Sequence, residues 1–247
     1  MYNPYSLENK TILITGASSG IGRATAVECS KLGAKVVITA RNEDRLKETF
    51  NMLDGDGHSI IVADLTNEDD VKSLATQCPP LDGVVSNAGV SISKPITFYA
   101  QKDIDLVFGA NTFAPMCLNR WLLKKKKINN NGSIVFTSSA AAFLSTIANG
   151  IYGTSKAALT SYMKYCAKEL ATKRIRANAI HPGMVETGLI HGGAISEENL
   201  EAEKMNYPLG RFGKPEEIAW AIIYLLSDAS AWVTGASIVI DGGVLLH

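Results

Sequence analysis

Tyr152 and Lys156 stand four residues apart in I-Y-G-T-S-K-A-A-L, a spacing that puts both side chains on one face of a helix. A free phenol ionises near pH 10 and so keeps its proton at neutrality, while a nearby ammonium group favours the phenolate. Lowering a phenol by about 3 units takes roughly 4 kcal/mol of differential stabilisation, within reach of close charges in a partly dry site. Such a group can give a proton to a carbonyl oxygen or take one from an alcohol. By itself the pair also fits an exposed lysine beside a half-buried ring.

A glycine turn far upstream supplies a second chemistry. Thr15 to Gly22 reads T-G-A-S-S-G-I-G and directly follows the apolar run Thr11–Thr15. Gly16 lets the chain bend sharply, and Gly20 and Gly22 let backbone come close to a phosphate. A helix starting near Gly20 offers unpaired N–H groups to a pyrophosphate. The spacing is G-x-x-x-G-x-G rather than G-x-G-x-x-G, and glycines also end strands for purely structural reasons. Gly16 to Gly20 satisfies G-x-S-x-G as well, which would make Ser18 a hydrolase nucleophile served by His181 or His191. That alternative puts the elbow on the first strand and leaves Tyr152 and Lys156 without a role. Together the turn and the Tyr-Lys pair point to a nicotinamide-dependent carbonyl/alcohol oxidoreductase.

The second strand ends near Thr39. An acid about 20 residues after the glycines holds a ribose 2′-hydroxyl, whereas a 2′-phosphate needs a cation. Positions 39 to 41 carry no acid, and Arg41 can offer a bidentate fork. NADP(H) is therefore favoured over NAD(H); the alternative is a solvated Arg41, or one paired with Glu43 or Asp44. Asp64 can accept from an adenine amine or serve as a helix-entry acid. Asn87, Ala88 and Gly89 can line the dinucleotide at the carboxyl edge of the sheet. Ser138 or Ser139 can hold a substrate oxygen against Tyr152. Asn111, mildly unfavourable inside a helix, can bend it, hold a water linking Lys156 to solvent, or simply face solvent.

These groups need a frame. Strands are expected at Thr11–Thr15, Val36–Thr39, Ile60–Ala63, Gly83–Ser86, Ser133–Thr137, Ile175–Ile180 and Ser237–Ile240. Most are continuous apolar runs, as in strands buried on both faces of a parallel sheet. Helices are expected at Gly20–Leu32, Asp44–Leu53, Asn67–Gln77, Lys102–Lys124, Tyr152–Lys173 and Pro215–Leu226. Asn67 reads as an N-cap and Pro215 as a first-turn residue. This alternation predicts an α/β fold: a single Rossmann-type, doubly wound parallel sheet of about seven strands with helices on both faces. Residues 1–247 are expected to form one domain, since no linker divides them.

Composition narrows the class. Of 247 residues 46% are apolar, ample for one core, and 24 Lys+Arg balance 24 Asp+Glu. No global field favours nucleic acid or an anionic membrane. The longest apolar run, Ala219 to Leu226, is far short of a membrane span. The first ten residues lack the features of a signal peptide. Cys29, Cys78, Cys117 and Cys166 are widely spaced, as reduced thiols of a cytoplasmic protein would be, and no metal-ligand pattern stands out.

The ordered set of T-G-A-S-S-G-I-G, Asp64-Leu65, Asn87-Ala88-Gly89, Asn111, Ser139, Tyr152-x-x-x-Lys156, His181-Pro182-Gly183 with Thr187, and Asp241-Gly242-Gly243 resembles the short-chain dehydrogenase/reductase family over nearly the whole chain. The resemblance implies a catalytic tetrad of Asn111, Ser139, Tyr152 and Lys156. In it Tyr152 is the acid/base, and Lys156 holds the nicotinamide ribose and lowers the tyrosine pKa. Ser139 positions the carbonyl, and Asn111 holds a proton-relay water. It also implies that Gly16, Ser18, Ser19, Gly20, Ile21 and Gly22 border the cofactor, with Asp64, Leu65 and residues 87–89 further along it. The backbone around Pro182, Gly183 and Val185 would pack on the nicotinamide, and Thr187 would bond its carboxamide or phosphate. Arg41 resembles the marker of NADP-preferring members, although Ser19 stands where many of them carry a basic residue.

The stretch Asn206 to Glu217 is similar to the 3-oxoacyl-[acyl-carrier-protein] reductase branch, so a 3-oxoacyl thioester is the expected substrate, free or carrier-bound. Reduction of a sugar, polyol or steroid is the alternative, as is a non-catalytic NADP-binding regulator. The irregular stretch around 188–208 is expected to cover the substrate. There, His191 reads as solvent-exposed or substrate-facing; upstream, His181 reads as structural. Lys124 to Lys127 reads as a solvated helix end, or as a docking patch for an acidic carrier. A homotetramer or homodimer is implied, with the long helices Lys102–Lys124 and Tyr152–Lys173 at a subunit boundary.

Overall fold

The computed structural model describes residues 2–188 and 197–246; His191 lies outside them. The strands are β1 (Thr11–Thr15), β2 (Lys35–Thr39), β3 (Ser59–Ile60), β4 (Leu81–Ser86), β5 (Ile128–Thr137), β6 (Arg176–Pro182) and β7 (Ser237–Ile240). They form one sheet in the order β3-β2-β1-β4-β5-β6-β7, parallel at every pairing. The chain winds outward from β1 to one edge, then returns to β4 and winds to the other. The strand order reverses between β1 and β4, the place where open α/β sheets hold ligands.

Alternation along each strand explains the continuous apolar runs. Leu13, Val84, Ile134 and Phe136 point to a layer holding Leu74, Leu118, Leu122, Leu159 and Met163. Their neighbours Ile12, Ile14, Val85 and Val135 point the other way, toward Ala26, Cys29, Leu46, Ile218 and Ile222. The first layer is built by α3 (Glu68–Gln77), α5 (Ala114–Lys124) and α6 (Gly150–Glu169); the second by α1 (Gly20–Lys31), α2 (Glu43–Phe50) and α8 (Pro215–Leu226). Each large apolar side chain so buried contributes about 1.5–3 kcal/mol. Asn67 caps α3 by accepting from the Asp69 and Asp70 amides at 2.9 and 3.3 Å. Glu217 accepts from the Lys214 amide at 2.8 Å at the start of α8, with Pro215 in its first turn.

Beyond shifts of a few residues at helix ends, such as Asp44–Leu53 ending at Phe50 and Tyr152–Lys173 ending at Glu169, the elements differ from expectation in three places. The predicted helix over 102–124 is two helices, α4 (Gln101–Phe108) and α5, joined by a π-helical turn at Gly109–Phe113. β3 spans two residues instead of four, although the Ile61 and Ala63 amides still donate to Ile38 O and Ala40 O across β2. β5 begins five residues early, because Asn129 Nδ2 donates to Asp82 Oδ1 at 2.8 Å and Ile128 pairs with Leu81. Within 188–208, α7 (Glu197–Lys204) is helical. The four cysteines are free thiols. No helix of the described residues is long and apolar enough to cross a membrane, and among those residues no cluster of three or more His, Cys, Asp or Glu is gathered as metal ligands.

Candidate active site

The glycine turn joins β1 to α1 at the carboxyl edge of the sheet. Gly16 has φ +66°, and a Cβ on Gly22 would lie 2.3 Å from Gly16 O and 2.7 Å from Asn87 Nδ2. Only a residue without a side chain fits there. Ser19 precedes α1 in extended backbone and makes no side-chain cap, so the first amides of α1 remain available to an anion. The Thr187 side chain stands against the start of this helix, 3.1 Å from where a Cβ on Gly20 would be. The turn is braced by Arg23, which donates to Ser18 O at 2.7 Å and to Thr49 Oγ1 at 3.0 Å and pairs with Glu48 at 2.8 Å. Gly22→Ala is expected to abolish NADPH binding in a fluorescence titration and to lower Tm by about 5 °C or more. An alanine enzyme with parental affinity would show that the turn is no phosphate cradle.

Thr15, which opens the glycine motif but is given no role of its own by it, ties this turn to the next loop. Its Oγ1 accepts from the Asn87 and Ala88 amides at 2.9 and 3.0 Å and donates to Val85 O at 3.2 Å. Asn87 Nδ2 donates to Thr15 O at 3.1 Å. A threonine ending a buried strand carried no signal of its own, because its partners lie some seventy residues on.

Arg41 is exposed at the end of β2 and, among the described residues, makes no hydrogen bond or ion pair. Of its two candidate partners, Glu43 pairs with Lys47 at 2.8 Å instead, and no ion pair joins Asp44 to Arg41 among the described residues. Asp64 Oδ1 accepts from the Thr66 hydroxyl at 2.7 Å and the Thr66 amide at 2.9 Å. The hydroxyl bond is the main influence lowering its carboxyl, and the Arg41 charge adds to it. Asp64 thus serves the entry to the next helix through one oxygen, and among the described residues its other oxygen has no hydrogen-bond partner. Leu65 packs against the inner layer beside it.

Tyr152, Lys156, Ser139 and Asn111 converge across three elements. Lys156 is only 4% exposed; its Nζ donates to Thr137 O at 2.8 Å and lies 5.7 Å from the centre of the Tyr152 ring. Burial lowers this ammonium to about 8. Burial also pushes the half-buried Tyr152 phenol up, and its hydrogen bond with Ser139 opposes that with less force. The depression expected from a neighbouring ammonium is therefore not met by the protein alone: desolvating a phenolate outweighs what these residues supply.

The two serines separate. Ser138 Oγ turns inward to Lys156 O and Thr160 Oγ1, both at 3.0 Å. Ser139 Oγ accepts from the Ala141 amide at 3.1 Å and faces the phenol.

Asn111 is 0% exposed, which overturns its reading as a surface residue, and it sits in the π-helical turn. Its Nδ2 donates to Val90 O at 2.9 Å and to Ser155 Oγ at 3.0 Å, and its Oδ1 accepts from the Val90 amide at 2.8 Å. Both amide hydrogens are thus used, leaving one lone pair on Oδ1. A Cβ on Gly89 would come within 2.9 Å of that oxygen and 3.3 Å of Lys156 Nζ, so the glycine keeps the gap between them open.

Pro182 ends β6 opposite Ile240, Gly183 lies against Asp241, and Val185 is buried and bridged to Gly213. The hydrolase reading fails for His181, which stands on β6, three strands from Ser18 on the β1 side or about 14 Å. Its Nδ1 bonds Ser139 O instead, at 3.1 Å. The Lys124–Lys127 run lies at the start of β5, the sheet edge opposite Ser139, where Lys127 donates to Cys78 O at 2.5 Å and Lys124 stands 5.0 Å from the centre of the Trp121 ring.

A family model described as "Enoyl-(Acyl carrier protein) reductase" matches residues 16–245. The 3-oxoacyl-[acyl-carrier-protein] reductase FabG of Rickettsia felis is 36% identical over 240 residues, 97% of this chain and 98% of that protein. A tropinone reductase homolog of Arabidopsis thaliana is 32% identical over 98% of this chain and 95% of its own. Among solved structures, a putative 2-deoxy-d-gluconate 3-dehydrogenase from Agrobacterium tumefaciens with bound NADP superposes with a TM-score of 0.90 at 31% identity, covering 100% of both chains. A short-chain type dehydrogenase/reductase from Mycobacterium marinum does so at 0.88 and 30% identity, covering 98% of this chain and 97% of that one. With one parallel seven-stranded sheet, an open glycine cradle and a buried lysine under a tyrosine, the chain belongs to the short-chain dehydrogenase/reductase family and is an oxidoreductase acting between CH–OH and C=O.

Proposed function

We propose that this enzyme uses NADPH to reduce a ketone to a secondary alcohol, with Tyr152 as the proton donor. The observation that carries the reading is the burial of the Lys156 ammonium beneath Tyr152 with Thr137 O as its hydrogen-bond partner. A buried charge so sparsely bonded is costly unless a ligand completes its shell. The residues fit the dinucleotide: the bare α1 amides and the glycine cradle suit a pyrophosphate, Asp64 the adenine, and Arg41 a 2′-phosphate. Lys156 would hold the ribose hydroxyls. When bound, the nicotinamide supplies the hydride. Ser139 Oγ holds the substrate oxygen, and Tyr152, kept protonated by burial, gives it a proton. Oδ1 of Asn111, across the gap left by Gly89, receives the water through which Lys156 restores that proton.

Free-enzyme affinity for NADPH should then depend on pH. Lys156 is an ammonium below about 8 and an amine above it. NADPH binding is expected to weaken as pH rises through about 8, measured by fluorescence titration from pH 6.5 to 9.5. Folding stability moves the other way. The unfolded lysine keeps its proton to about 10.5, so stability rises between about 8 and 10.5. A flat NADPH affinity would remove Lys156 as the ribose anchor.

A 3-oxoacyl thioester is the substrate proposed. The segment between Ser139 and Tyr152 presents Phe143 and Ile147, the latter 96% exposed, and the loop before α4 presents Ile96 and Phe98. The two segments are joined by the Lys94 amide donating to Ala148 O at 2.7 Å. An apolar rim suits an acyl chain better than a polyol. The sugar reading is supported by the putative 2-deoxy-d-gluconate 3-dehydrogenase among the structural relatives. NADPH oxidation with 3-oxoacyl thioesters, keto-sugars and keto-steroids separates these. The thioester is expected to give the highest kcat/KM; faster turnover of a keto-sugar would transfer the assignment. The outward Leu106, Phe113 and Tyr165 on α4, the π-helical turn and α6 support a homodimer or homotetramer closing over these helices.

A further inference from the structure

We propose that His181 is the positioning residue for Ser139, its Nδ1–H gripping the Ser139 carbonyl and so fixing where the Ser139 hydroxyl stands. The inference rests on the role read for Ser139 above. Along β6, Ala177 and Ala179 face the layer that holds α6, while Ile180 faces the opposite layer. His181 therefore returns to the α6 side, next to Ser139. Its Nδ1 lies 3.1 Å from Ser139 O, which also accepts from the Ala142 amide at 3.0 Å. A carbonyl oxygen only accepts, so Nδ1 must carry the proton.

The ring is 0% exposed, and among the described residues Nε2 has no hydrogen-bond partner. An orphaned buried nitrogen is an expensive placement. An aliphatic side chain would fill the same layer without it, as Ala179 does two residues earlier. What the imidazole adds is the Nδ1 donor. Phe143 packs against the imidazole, with ring centres 4.6 Å apart at 39°. The turn Ser139–Phe143 is thus gripped at both ends by one side chain. Burial, with the nearby Lys156 charge, keeps the imidazole neutral, which preserves the single-donor tautomer.

Three substitutions test this. Asparagine places its amide N–H where Nδ1 stood, glutamine reaches the Nε2 position instead, and leucine has no donor. His181→Asn is expected to keep kcat within about threefold of the parent, while His181→Leu and His181→Gln lose about tenfold or more, with KM for NADPH unchanged. Parental kcat in the glutamine or leucine enzyme, or an asparagine enzyme as slow as the glutamine one, overturns the inference. If the leucine enzyme fails to fold, the asparagine–glutamine comparison decides alone. Ser139→Ala in the same assay separates the two layers of argument. Parental kcat there removes the role read for Ser139 itself. A slow alanine enzyme beside an unimpaired His181→Gln removes only the grip.

Discussion

Tyr152→Phe is expected to lower kcat about a thousandfold, the scale of a lost general acid, while NADPH binds with nearly parental affinity. The ring keeps its packing and its place 5.7 Å from Lys156 Nζ, so the change is confined to one hydroxyl and its bond with Ser139. Burial favours the neutral phenol, which is the form a reductase needs at the moment of proton delivery. Single-turnover NADPH oxidation and a fluorescence titration on the same sample make the measurement. Turnover within tenfold of the parent would mean that another group delivers the proton.

Arg41→Ala is expected to weaken NADPH by about 50-fold and NADH by less than twofold, because a charge-assisted fork to a phosphate is among the stronger single contacts. The effect is geometric as much as electrostatic. The guanidinium is exposed at the carboxyl end of β2, and Glu43, which could have neutralised it, is held by Lys47 at 2.8 Å. Asp64 feels its charge from the end of the next segment. Dissociation constants for both nucleotides read the effect directly; equal losses would detach Arg41 from the 2′-phosphate.

The sheet and the cradle were legible in the sequence because they are local. Three consecutive apolar residues, Ile12 to Ile14, between two threonines, with a glycine turn immediately after them, leave few alternatives, and the inner strands of the sheet repeat the same doubly buried pattern. The break at Asn111 was legible only as one reading of an asparagine inside a helix, beside a held water and a solvent-facing side chain. Its causes are Val90, 21 residues away, and Ser155, 44 residues away, and no periodicity within 102–124 encodes either partner. The bonds of Thr15 and His181 were not legible for the same reason: each acts through backbone groups that only the assembled sheet brings near. The early start of β5 was hidden by three polar asparagines that carry no strand signal, although Asn129 spends its amide on Asp82.

The π-helical turn at Gly109–Phe113 also sets the phase of everything after it. A residue advances a helix by about 100°, so the surplus residue there rotates α5 to the angle at which Leu118 and Leu122 meet the sheet. Removing a single residue from this turn would leave α5 to choose between its packing angle and the register of Asn111 with Val90. Length in this segment is therefore far less free to drift than its surface composition, and lineages that change it must change both contacts at once.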